Sequence, residues 1–213
     1  MNRVLPVVAI VAMATFAAKG KSSARSSDDS PAMLTLDASG VFTIPSVWPS
    51  DGVDEKLGLG LRLVPAVEVP VGDRVGVRAL FGYEFTTWGY KYPQGVVDHD
   101  VSVRTQFLTL GFAGQYDLVP MSSWLSLGVS ADFPLSSRLS DDIVRDNGDV
   151  ATDHGRLRGD QTSVFLDMGF GCKVARSVGL VVGYRLPLVP YYDKAETTID
   201  LHQIDVGLRF FLP

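Results

Sequence analysis

The chain has one cysteine, Cys172, so it builds neither an internal disulfide nor a multi-cysteine metal site. It lacks a basic stripe. Lys and Arg are scattered singly and the formal net charge is −5, which gives no footing for nucleic acid. No segment sustains helical spacing of apolar residues, and no apolar run is long enough for a comfortable membrane-crossing helix. Catalytic signatures are missing too: there is no His-x-Ser pair and no G-x-S-x-G elbow.

What is present begins at the N-terminus. Arg3 precedes an apolar run from Val4 to Ala18 that ends in small residues, the pattern of a secretory signal peptide. The reading assigns residues 1–18 to that signal, with cleavage near Ala14 to Ala18, against the alternative of an uncleaved anchor or buried helix. Residues 19–32 are polar and Ser-rich, a flexible lead-in, and residues 33–213 form the folded unit.

From Met33 onward apolar residues alternate with a period of two, in segments bounded by Gly, Pro, Asp and Ser. Eight such segments are predicted as strands: 33–46, 57–70, 74–90, 104–118, 124–137, 162–175, 178–190 and 198–212. Their connections alternate in length. Tight ones (71–73, 120–123, 176–177) follow longer ones (47–56, 91–103, 138–161, 191–197). An up-and-down barrel with short turns at one end has this rhythm, and a transmembrane barrel puts its short turns on the periplasmic side.

Period two alone does not separate a membrane barrel from a lipocalin-like one, so the content of each face decides. One face carries no charge over eight segments, for example Leu57, Leu59, Leu61 and Leu63, or Ile204, Val206, Leu208, Phe210 and Leu212. A charge on a lipid-facing position near the midplane costs about 2–4 kcal/mol, which explains such a face. The other face holds Asp37, Arg62, Glu68, Arg78, Glu84, Asp117, Asp132, Asp167, Lys173, Arg185, Asp205 and Arg209, with many glycines. A narrow lumen needs small residues between large ones, and its charges need partners. The expectation is an all-β, eight-stranded antiparallel up-and-down transmembrane β-barrel whose lumen is filled by an ion-pair network. Cys172 then faces lipid as a free thiol.

In this pattern the chain resembles the small outer-membrane β-barrel family typified by the OmpA transmembrane domain and OmpX, over residues 33–213. Its last strand, Ile204 to Pro213, resembles the C-terminal signal read by the barrel-assembly machinery, although it ends Phe211-Leu212-Pro213 where that signal usually ends in Phe. The resemblance implies a bacterial outer-membrane location, with lipid, lipopolysaccharide and the assembly machinery as partners. It assigns no activity.

Three side-chain sets invite chemistry. His202, near the outer end of the last strand, is a weak catalytic candidate for a lipid A deacylase-like or acyltransferase-like reaction, against the plain reading of a rim histidine like His99 and His154. The acidic connection with Asp141, Asp142, Asp146, Asp149, Asp153 and Asp160 suits a hard cation, but lacks EF-hand spacing and reads better as a solvated loop, so no metal and no cofactor are expected. Lys56, Lys91, Arg104, Arg138, Arg156 and Arg158 at strand ends and in loops are positioned to meet lipopolysaccharide phosphates or to serve as ordinary loop charges. Trp48, Trp88, Tyr90, Tyr92, Tyr191 and Tyr192 are expected in an outer aromatic girdle, and Tyr116, Trp124 and Phe210 in a periplasmic one. The leading expectation is a non-enzymatic barrel for envelope integrity or surface binding. The alternatives are the lipid-modifying enzyme and a narrow channel or carrier of a small hydrophobic ligand.

Overall fold

A computed structural model describes residues 32–48, 52–94, 97–119, 122–145, 149–155, 161–194 and 197–212. The predicted signal peptide and nearly all of the lead-in lie outside the described residues, as do Asp146, Arg156, Arg158 and Asp160.

Eight long strands carry the architecture: β1 Met33–Trp48, β3 Gly58–Pro70, β4 Val75–Gln94, β5 Val97–Val119, β6 Ser123–Arg145, β8 Ser163–Ala175, β9 Val178–Val189 and β11 Thr197–Leu212. Three short strands add to their outer ends: β2 Asp54–Lys56 beside β4, β7 Val150–Gly155 beside β6, and β10 Tyr192–Lys194 beside β11. Each long strand pairs antiparallel with the next, and β1 pairs with β11 from Leu34↔Leu212 to Trp48↔Thr198. That last pairing closes the sheet and removes its edges. The protein is an eight-stranded up-and-down antiparallel barrel.

Burial is inverted relative to a water-soluble protein. Arg185 is 1% exposed and Glu84 and Asp132 are 0% exposed, while Leu61 is 68% and Phe112 60% exposed. Leaving one large aliphatic side chain in water forgoes roughly 1.5–3 kcal/mol, and soluble monomers rarely expose apolar patches beyond a few hundred Å². An uninterrupted belt of such residues on all eight strands is a lipid-facing surface. Cys172 lies on that face and is a free thiol.

Two expectations about the outer ends are corrected. Most of the predicted connections 91–103 and 138–161 is strand: β4 runs to Gln94, β5 starts at Val97, and β6 continues to Arg145 with β7 paired to it. Above the bilayer the outward face of a sheet meets water instead of lipid, so polar residues occupy strand positions there without the alternation that marks a strand crossing lipid. The aromatic girdle is the second correction. Trp88 and Tyr191, 2% and 0% exposed, turn inward and pack with Val47, Val101, Val103, Phe107, Ile199 and Leu201 in an apolar plug at the outer mouth. Tyr90, Tyr92 and Tyr192 pack against that plug. Trp124 is also interior, 3% exposed. Trp48 and Tyr116 remain on the outside.

Candidate functional site: a layered lumen

Three interior layers follow from the register. The floor, at the periplasmic end, is built on Asp37. Arg209 donates to it from Nε (2.7 Å to Oδ1) and Nη2 (3.0 Å to Oδ2), and Arg78 donates from Nη2 (3.1 Å). Such a two-pronged guanidinium–carboxylate pair is among the stronger protein hydrogen bonds. Gln115 extends the layer by accepting from Arg209 (2.8 Å) and donating to Glu68 (2.9 Å), with Arg78 Nε 3.6 Å from Glu68. Trp124 lies under the Arg209 guanidinium (4.8 Å), edge-on to Phe211. Lys173 Nζ stands 4.4 Å from the centre of the Phe211 ring. Asp117 and Lys173, both named with the network on sequence, make no ion pair among the described residues.

The waist above it centres on Arg185. Its guanidinium donates to Asp132 from two nitrogens (2.9 Å each), to Asp167 (2.9 Å), Glu84 (3.1 Å) and Ser130 (2.9 Å), and to Gln203. The Phe165 ring lies 4.1 Å from its central carbon. Arg62 donates to Asp205 (3.0 Å) and faces Glu84 at 3.8 Å. Thr109 donates to Asp132 (2.7 Å) and Gln203 to Glu84. The waist therefore holds four carboxylates against two guanidiniums, whereas the floor balances two against two.

Between floor and waist lies a cavity of about 90 Å³, walled by Asp37, Ser39, Arg62, Asp167, Asp205 and Arg209 among others. Three buried atoms of these residues, Arg62 Nε, Asp167 Oδ2 and Asp205 Oδ1, have no protein hydrogen-bond partner. A polar cavity of this size suits about three water molecules. Above the waist, Tyr191 reaches through the plug to Ser137 (2.6 Å) and Thr105 (3.3 Å).

The neutral members, Gln115, Gln203, Thr35, Thr109 and Ser130, carry no charge that marks them in the sequence. Their inward register is the signal that would have found them. The lumen glycines make room: an added Cβ at Gly171 would sit 2.2 Å from the Trp124 ring.

Among the described residues the three histidines lie apart, each in its own surroundings. His202 faces outward where the apolar belt ends, and its Nδ1 is 2.8 Å from the Tyr184 hydroxyl, with the two rings stacked. His99 bonds Asp141 (2.9 Å) and stacks on Tyr92 at 4.7 Å, while His154 is exposed on β7. Tyr92 continues a ladder through Tyr90 to Trp88. Burial, then the neighbouring Tyr92, Tyr192 and Asp141, pushes the Tyr90 hydroxyl up to about 12. Asp141 is engaged by His99 and Asp142 by Thr152, and among the described residues no three metal-ligating groups converge.

The fold and the belt define a transmembrane β-barrel. No protein-family model matches the chain, and no curated protein matches it. Solved structures similar to it include the attachment invasion locus protein Ail of Yersinia pestis (11% identity, 84% of this chain and 99% of that one, TM-score 0.42). Neisserial surface protein A (16%, 84% and 97%, 0.41) and the outer membrane protease OmpT of Escherichia coli (11%, 89% and 100%, 0.44) are similar as well. The architecture rests on the pairing of this chain's own strands.

Proposed function

We propose that the protein is a non-enzymatic barrel of the bacterial outer membrane, stiffened by its lumen and presenting the outer strand extensions at the cell surface. The observation that carries this is the stacking of a buried ionic waist beneath an apolar plug inside a lipid-facing wall. Charges at 0–1% exposure leave little room for a hydrated path, and the plug covers them. Residues 1–18 serve export, and β11 serves recognition by the barrel-assembly machinery. On this reading lipopolysaccharide surrounds the outer half of the belt.

The test is to refold the chain into phospholipid vesicles and planar bilayers. The expected result is a heat-modifiable gel mobility with no single-channel steps. Well-resolved conductance steps would make it a channel, and a chain that stays soluble and unshifted would end the membrane reading.

A further inference from the structure

Arg104 on β5 and Arg138 on β6 occupy directly opposed positions of the same antiparallel ladder. Both are exposed, both point outward, and neither forms an ion pair or side-chain hydrogen bond among the described residues. Like charges directly opposite one another destabilise a sheet, because their Cβ atoms lie only about 4.5–5.5 Å apart. The arrangement is unfavourable unless something negative sits between them.

Their height says what that is. Descending the same columns, Arg104↔Arg138 gives way to Gln106↔Ser136 and then to Leu108↔Phe133, the upper edge of the apolar belt. Four strand residues past Leu108 amount to about 9 Å along the barrel axis at a tilt near 45°. That is headgroup level, outside the hydrocarbon. Higher on the same wall Lys56 and Lys91 both reach Asp100, so those two lysines are already engaged by a carboxylate while the arginine pair below them is not.

We infer that Arg104 and Arg138 form a seat for a phosphorylated lipid of the outer leaflet, the two guanidiniums gripping one phosphate. The inference rests on the membrane placement proposed above. Guanidinium forks match phosphate oxygens two at a time, and a bridging dianion converts the repulsion into two charge-assisted contacts. Gln106 and Ser136 offer neutral hydrogen bonds to the sugar or ester oxygens beneath. The acyl chains then run down Leu108, Phe133, Leu110 and Leu135. This continuity from cation pair to apolar column commits the site to a lipid rather than a free anion.

The signature is a reversal of sign. In phosphate-free dodecyl maltoside micelles, R104Q and R138Q resist heat unfolding at least as well as the wild type, since each relieves a repulsion. In phosphatidylcholine vesicles containing diphosphoryl lipid A, the wild type is the more resistant. Native mass spectrometry of barrels released from those vesicles shows lipid A retention falling about tenfold in R104Q/R138Q, the loss expected from charge-assisted hydrogen bonds, with R104K/R138K in between. Equal retention by wild type and double variant overturns the seat. So does inorganic phosphate in maltoside reproducing the whole stabilisation. Insertion into plain phosphatidylcholine vesicles is independent of both arginines, so a chain that fails there refutes the membrane placement and not the seat alone.

Discussion

At the scale of the residue, Arg185 is the most heavily committed side chain in the barrel. It touches strands β4, β6, β8 and β11 at once through Glu84, Asp132, Asp167 and Gln203. Removing one partner of a buried ionic group leaves the others unpaired, which costs about 3–5 kcal/mol. Arg185→Ala should lower unfolding stability in micelles by that order, read from a denaturant titration, while Arg104→Gln in the same detergent should not. Gly171 is the steric counterpart. A leucine there would drive into the Trp124 ring, and Gly171→Leu should cost about 1–3 kcal/mol, with a shifted tryptophan emission as Trp124 leaves the Arg209 guanidinium.

At the scale of the element, β4, β5 and β6 outrun the bilayer, and their extensions are held by side-chain ladders instead of lipid. Trp88, Tyr90, Tyr92 and His99 stack in sequence toward the tip. Tyr90 reports on that ladder. Its hydroxyl titrates near 10 in an unfolded chain and about 12 here, so its contribution is complete below pH 10 and is lost as pH rises toward 12. Tyrosinate absorbance should therefore show a late-titrating component that shrinks in Tyr90→Phe, and proteolysis of the outer extensions should accelerate across the same interval. These extensions are also where sequence and structure part. Within the belt, alternation named the strands, since lipid on one side and a narrow lumen on the other allow only one pattern. Above it, Asp98, Asp100, Asp141 and Asp142 sit on strands whose outward face meets water, and their charges mimic a loop. Trp88 and Tyr191 were misplaced for a related reason: an amphipathic ring suits an interface and a plug equally, and only the closure of the barrel distinguishes them. Charges of the lumen could be named from parity, but which acid meets which arginine depends on strand stagger, a property of the closed ring.

At the scale of the whole molecule, the interior is ordered by height, with balanced ions at the floor, an acid-rich waist and an apolar lid. A wall this thin gains rigidity from cross-lumen ties, and the expected result is a barrel whose heat-modified mobility persists in detergent well after the outer extensions have been trimmed by protease. Loss of the folded band on trimming would show instead that the extensions hold the barrel together.

The ties have one more consequence, and it concerns time. Arg62 finds Asp205 across 143 positions, Asp37 finds Arg209 across 172, and Glu84 finds Arg185 across 101. Pairs between neighbouring strands, such as Arg185 with Asp167, supply only part of the neutralisation of the lumen, so contact order is high and assembly should be slow. Until the last strand arrives, Asp37 lacks Arg209 and Arg62 lacks Asp205 on the side that must become dry. The first and last strands thus act as a clasp, and the ties between Asp37 and Arg209 form only when they meet.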